Sequence, residues 1–489
     1  MANYLIGIGG TGAKCVEAVL HMCAAGLGPD DLHVIFVDPD RANGMLDRAD
    51  QTLSTYAKCR GLEFGNTPLF RTRVTSASPA RWSPFQEHAR PTLEDFVSYP
   101  YLVARDEAAA SLADTLFSRA ELETSLERGF RGHPSIGATV LAGTVRLGDV
   151  EPWRSFRNAL ATDLKSGAPT SVVVVGSVFG GTGAAGLPTI GRLIRDEMTS
   201  IGMAEGRLAA ILMLPYFSFT PDAQASLLRA SAENFLVSTQ AALQYYYQQR
   251  YFDIYSDLYL LGDSALSPVG NYSEGATDQR NAPHFIELLA AQAAIHAWSG
   301  GKLRGVWMTS RGAENRVGWE DIPGSEGPSG AKTRIEHLAR FATAFLADYY
   351  PMLEHIRESG KSYLAPWYVD LLVRSGSSVS DPATYERLQD LKRYCESFLQ
   401  WCEASHGSAP GTVVELLNTG AFKALKIDRG ECASLAFPVE AVRSRPSARL
   451  WTRMCRSKVT DKRTAGVGRF ARALFDAASP TYDRQTTQN

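Results

Sequence analysis

Two short stretches, far apart in the chain, share one design. "YLIGIGGTGAKC" (4–15) and "SVVVVGSVFGGTGAAGLP" (171–188) each pass from an apolar run, through clustered glycines, into a helix-forming segment. An apolar run of this length reads as a strand covered on both faces. Glycines at a strand-to-helix turn bare the backbone N–H groups at the helix N-terminus, which is a ready site for phosphate. Parallel strands need helical crossovers, so a chain with two such units is directed towards an α/β fold.

The surrounding pattern agrees. "AKCVEAVLHMCAAG" (13–26) reads as a helix and "LHVIFVD" (32–38) as a second strand. A helix is expected from about Leu187 to Met198, a strand over 207–217, a long helix over 223–249 and a strand over 257–263. The helix at 282–300 is apolar almost all round, as a helix buried on most sides would be. "GSEGPSG" (324–330) reads as a linker or surface loop, and the remainder is mainly helical. The expected organisation is a Rossmann-like parallel sheet with helices on both faces over 1–323 and a mainly helical C-terminal domain with a polar tail over 331–489.

Composition narrows the functional classes. A formal net charge of −2 over 489 residues gives no bulk electrostatic case for nucleic acid or an anionic membrane. The seven cysteines include no CxxC pair, which argues against a zinc site or a disulfide framework. The N-terminus opens directly into a strand, and no apolar run nears the roughly 20 residues that span a bilayer. A cytoplasmic protein with reduced thiols is the expectation.

Three nucleotide-binding designs begin with such a turn. Gly7, Gly9 and Gly12 fit the dinucleotide fingerprint G-x-G-x-x-G, with Asp38 at the end of the second strand placed to grip a ribose. The P-loop pattern fails, because Ala13 intervenes before Lys14 and Cys15 replaces Ser or Thr. The second turn leaves a plain dinucleotide domain with a feature it does not need. Two helix N-termini suit one polyphosphate held from more than one side, through Gly9, Gly10, Thr11 and Gly12 and through Gly180, Gly181, Thr182 and Gly183. Thr11 and Thr182 could offer hydroxyls to a phosphate or a metal-bound water, or cap the helices that follow. Asp38 and Asp40 could orient a ribose or hold Mg²⁺ through water, or shape the turn around Pro39. Asn281 has the donor and acceptor to read a purine edge, or it could be a helix N-cap. His284 reads as a structural histidine.

These residues resemble the tubulin/FtsZ superfamily. "FGGTGAAGLP" (179–188) looks like its glycine signature, "GIGGTGAK" (7–14) like its first phosphate loop, and "FVDPDRANG" (36–44) occupies the place of its second. "GFRGHPSIGA" (129–138), with Gly132 and Pro134, resembles the loop that meets the terminal phosphate. "LPYFSFTPDAQASLLRASA" (214–232) resembles the ribose-side strand and loop, and "QRNAPHFIELLAA" (279–291) the start of the central helix. The last of these, with the helical second half, looks closest to the divergent bacterial tubulin-like group.

The resemblance implies GTP/GDP with Mg²⁺, with Asn281 at the base, and self-association into a homo-oligomer or filament. It also implies hydrolysis completed across the subunit contact by acidic residues after the central helix. "RVGWEDIP" (316–323) matches that acidic pattern in part: Asp321 fits, with Glu320 beside it, while Gly318 and Arg316 replace an Asp and an Asn. Phe179 and Ala185 replace two signature glycines, and Phe179 is expected to put a side chain beside the phosphates. A non-polymerising nucleotide-binding scaffold in a bacterial multiprotein system is the alternative reading. A dinucleotide oxidoreductase leaves the second turn unexplained. Aromatics of the helical half (Phe341, Phe345, Tyr349, Tyr350, Trp367, Tyr368, Tyr394, Phe398, Trp401) are read as core, with a protein interface as the other possibility.

Overall fold

The computed structural model describes residues 2–85, 91–127, 129–130, 132–145, 150–167, 169–203, 206–218, 232–264, 266–269, 280–299, 305–308, 324, 330–361, 365–406, 446–461 and 463–479. The elements of the first half are β1 (Ala2–Ile8), α1 (Gly9–Ala24), β2 (Asp31–Val37), α2 (Gly44–Arg60) and β3 (Arg73–Trp82). Four short helices follow: α3 (Leu93–Phe96), α4 (Tyr99–Arg105), α5 (Glu107–Leu116) and α6 (Arg119–Leu122). Then come α7 (Pro134–Thr144), α8 (Trp153–Ser166), β4 (Thr170–Ser177), α9 (Gly181–Ser200), β5 (Arg207–Met213), β6 (Phe217–Ser218) and α10 (Ala232–Gln248). The last strands are β7 (Asp257–Leu261), β8 (Ser267–Pro268) and β9 (Gly305–Met308), with α11 (Phe285–Trp298) between β8 and β9.

Seven strands form one sheet in the order β3-β2-β1-β4-β5-β7-β9, and every pairing is parallel. The order runs outward in both directions from β1 and β4, so the topological switch point lies between them. Side chains alternate across the sheet as the strand period demands. Leu5, Val173, Val175, Ala209 and Ile211 enter one core, with α1, α2 and α11. Tyr4, Ile6, Val172, Val174, Leu208 and Ala210 enter the other, with α7, α8 and α9. The expected Rossmann-like α/β architecture is the one observed.

α9 starts at Gly181, six residues before the expected Leu187. Its interior Pro188 has no N–H for the carbonyl of Ala184, and the Tyr246 hydroxyl of α10 donates to that carbonyl instead. A missing helix bond is thus made good from a neighbouring helix.

The second half is helical: α12 (Ala331–Ala344), α13 (Tyr350–Ser359), α14 (Pro366–Leu371), α15 (Pro382–His406), α16 (Pro446–Arg456) and α17 (Gly466–Ala477). A π-helical turn at Phe345–Tyr349 joins α12 to α13, whose second residue, Pro351, has no N–H to continue a regular ladder. The aromatics singled out from the sequence, Phe341 to Trp401, are all buried. They share one continuous core with α1, α2 and α11, so the core reading of that set is the correct one and the interface reading is not. Among the described residues no helix is long and apolar enough to cross a membrane.

Candidate functional site

Both glycine turns lie at the C-terminal edge of the sheet, on β1 and β4, the two strands that flank the switch point. Gly9 has φ +73°, a conformation that favours glycine, and a Cβ there would stand 3.4 Å from the Thr182 Cβ and 3.7 Å from the Gly183 nitrogen. The turns therefore touch. Each helix also lies close against the sheet. A Cβ on Gly12 would meet the Val175 carbonyl oxygen at 2.6 Å, and one on Gly183 would meet the Ser177 carbonyl oxygen at 2.3 Å.

Neither helix caps itself. α1 follows Ile8 and α9 follows Gly180, with no side-chain cap and no acidic residue in either first turn. Among the described residues no N-cap side chain takes up the first N–H groups of either helix, which suits a ligand or water there. Thr11 and Thr182 lie inside their helices, not at the N-cap, so the capping alternative is excluded for both.

Two further loops close on this point. A Cβ on Gly10 would meet the Asn43 Nδ2 at 2.9 Å, so the first turn rests on the loop after β2. There Asn43 caps α2, accepting from the N–H of Met45 and of Leu46. Asp38 shapes the same loop. Its Oδ1 accepts from the Asp40 N–H at 3.0 Å and its Oδ2 from Asn43 Nδ2 at 3.2 Å, while the Asp40 Oδ1 accepts from the Ala42 N–H at 3.0 Å. Burial and the neighbouring Asp40 carboxylate push the Asp38 carboxyl up to about 8. A bound cation would relieve both causes. Two carboxylates completed by phosphate oxygens and water is a donor set that suits Mg²⁺. Among the described residues no group of three or more acidic, His or Cys side chains gathers for a metal.

The fourth loop precedes α7. A Cβ on Gly129 would lie 3.8 Å from the Asp40 Cβ, and one on Gly181 would lie 3.2 Å from the Gly132 nitrogen. Pro134 opens α7, and His133 Nδ1 pairs with Glu121 Oε1 at 3.1 Å, tying the loop to α6. The sequence-predicted glycines, both threonines, Asp38, Asp40, Gly132 and Pro134 are thus brought together.

Other predictions fare differently. Phe179 does not stand beside the turn as a bulky neighbour. It is buried, its ring 5.6 Å from Phe217 and 4.8 Å from Phe235, so it packs into the core. Asn281 is not the N-cap of α11. His284 holds that place, with Nδ1 accepting from the Ile286 N–H and Nε2 placed to donate to the Ser267 hydroxyl at 3.0 Å. The structural reading of His284 is therefore sound. The Asn281 carbonyl accepts from Arg48 Nη1 at 3.0 Å, and Arg48 also binds Glu17 of α1. Glu320 and Asp321 lie outside the described residues, as do Arg316, Gly318 and Phe219.

Sequence reasoning missed a buried polar trio. Lys14 Nζ lies 2.5 Å from Glu287 Oε1, with the two side chains 2% and 0% exposed. The Tyr216 hydroxyl donates to the same oxygen at 2.9 Å, and Lys14 reaches the Tyr216 oxygen at 3.5 Å. Burial, with the Glu287 charge next, holds the Tyr216 hydroxyl well above its ordinary range, so it remains a donor. The signal was there to see: Glu287 is the lone Asp, Glu, Lys or Arg in "FIELLAAQAAIHAW" (285–298), and a buried carboxylate demands a partner.

No protein-family model matches the chain. A search of curated proteins likewise finds no significant match. Among solved structures the chain is similar to CetZ2 from Haloferax volcanii, determined as a GTPgS bound protofilament. The match has 15% identity and a TM-score of 0.30, and covers 63% of this chain and 64% of that one. It thus spans less than two thirds of that protein's length.

Proposed function

We propose that the chain binds a nucleoside triphosphate, its polyphosphate held between the two glycine turns. The observation that carries this reading is their contact across the β1/β4 switch point, with two uncapped helix N-termini directed at one place. Backbone N–H groups of Gly9 to Gly12 and Gly180 to Gly183 supply donors, Thr11 and Thr182 add hydroxyls, and the loop at Gly132–Pro134 closes the far side. Asp38 and Asp40 would hold Mg²⁺ against the phosphates, where the cation offsets the charge of both partners.

The order of these loops along the chain supports the tubulin/FtsZ-like assignment, with GTP/GDP as the nucleotide and Asn281 near the base. Self-association into filaments follows if one subunit covers the nucleotide of the next, a heterologous contact that leaves open ends. Hydrolysis would then need Asp321, or Glu320 beside it, to orient water across that contact. A dinucleotide reading leaves the second glycine turn without a role.

The test is sedimentation and electron microscopy with GTP, GDP, ATP and a non-hydrolysable GTP analogue, with phosphate release followed in the same samples. GTP-dependent filaments, with phosphate release lost in Asp321→Ala, support the full reading. Tight GTP retention without pelleting or release leaves a binding scaffold. No retention of any nucleotide overturns the proposal.

A further inference from the structure

The trio Lys14, Tyr216 and Glu287 lies next to the first glycine turn, where Tyr216 also hydrogen-bonds the Thr11 side chain, yet its ion pair is not one that the phosphate reading requires. Burying an ion pair is expensive, and well-packed apolar side chains of similar volume usually serve stability as well or better. Its contacts suggest another purpose. Lys14 is on α1, two residues after Gly12, and its ammonium meets Glu287, whose other oxygen accepts from the His284 N–H and so fixes the start of α11. Tyr216 donates to Glu287 and stands just beyond β5. The Lys14 ammonium also lies 5.9 Å from the Phe217 ring centroid, and Phe217 packs on Phe179, the residue before Gly180. One charge thus connects the first turn, the start of α11 and the approach to the second turn.

We propose that Lys14 is a positioning residue, holding the two glycine turns in fixed register through Glu287 and Tyr216. It is not a phosphate ligand displaced from a P-loop: both its neighbours engage it inside the protein, and it is buried. A directional network of this kind fixes distances that a greasy contact leaves loose, and a cradle for phosphate needs its donors held to within about half an ångström. This inference rests on the phosphate reading, but its first readout does not.

The experiment replaces the pair together, Lys14→Met with Glu287→Leu, in the full chain. Hydrogen exchange is measured without ligand at amides 12–16 and 184–187, the first that the two helices bond behind the turns, beside the melting temperature and the affinity for GTP. The expected result is a lowered melting temperature, because the Tyr216 hydroxyl and the His284 N–H lose their acceptor, with amide exchange faster by roughly tenfold in both windows and GTP binding weakened to a similar degree. Unchanged exchange in both windows of the folded double variant overturns the inference. Should that variant fail to fold, Tyr216→Phe keeps the ion pair and removes only the hydroxyl. Faster exchange at 184–187 then supports the inference, and no change overturns it. If wild type binds no GTP, the functional proposal fails, and the exchange data still decide the role of Lys14.

Discussion

The two glycine turns have nearly the same local design but different helices behind them. α1 buries Lys14, Glu17 and His21, at most 2% exposed, on the faces it turns to α11, α2 and α15. α9 has small and apolar residues in that place, "GTGAAGLPTIG" (181–191), and depends on borrowed hydroxyls: Tyr246 serves Ala184, and Tyr255 donates to the Leu187 carbonyl. One turn is held by charge and the other by close packing. The difference teaches that a phosphate cradle can be assembled from halves stabilised by unlike means, provided both meet at one point.

The largest effects are expected where the halves are alike. Gly12→Ala and Gly183→Ala each drive a methyl into a strand backbone that cannot yield, and each should destabilise the fold by about 3 kcal/mol in denaturant titration. A loss in only one of them would break the symmetry of the comparison. Next comes the acid pair beside the first turn. Asp38 keeps its proton up to about 8 when folded, but loses it near 3.8 when unfolded. The folded state thus binds more protons between these values, and stability falls as pH rises through that window. Asp38→Asn should flatten the fall, read as the difference between variant and wild-type midpoints at pH 5 and pH 8.5. His21, held down to about 3 by burial, acts in the opposite sense below 6.5 and cancels in that difference.

On the second helix, Tyr246→Phe leaves the Ala184 carbonyl without a donor, because Pro188 has none to give. It should cost about 1–3 kcal/mol. Tyr255→Phe should cost less, since the Leu187 carbonyl has Gly191 four residues on. Equal losses would mean that the proline gap is not what Tyr246 repairs. The smallest effects belong to Thr11→Val and Thr182→Val. Neither threonine caps its helix, but the Thr11 side chain hydrogen-bonds the buried Tyr216, so Thr11→Val should cost about 1 kcal/mol and Thr182→Val no more than about 0.5 kcal/mol. A loss nearer 1 kcal/mol in Thr182→Val would mean that its hydroxyl has a structural partner of its own.

What was legible in the sequence follows from what is local. The apolar runs at β1, β2, β4, β5 and β7 and the glycines after β1 and β4 declare themselves, because period and backbone freedom act within a few residues. The convergence of four loops was legible only through their resemblance in order. Misreadings came where tertiary contacts decide. α9 was begun too late because Gly181 to Gly186 look like a loop until β4 and α7 pack around them. Phe179 was placed beside the ligand because nothing local says that its ring turns towards Phe217 and Phe235. The N-cap alternative for Asn281 rests on the cap preference of Asn, and nothing local says that His284 takes that place in a capping box with Glu287. Lys14 was weighed only against the P-loop, since its partner lies 273 residues away, at position 287 against 14.

The most direct test of the central claim is calorimetric titration of GTP into wild type, Thr11→Val and Thr182→Val, with stability checked in parallel. If one polyphosphate is held by both turns, each substitution weakens binding by a comparable factor, roughly tenfold for a lost hydroxyl at a charged ligand, while the fold is retained. Weakening confined to Thr11→Val would mean that the second turn only packs a helix against its strand, and the two-turn account would be wrong.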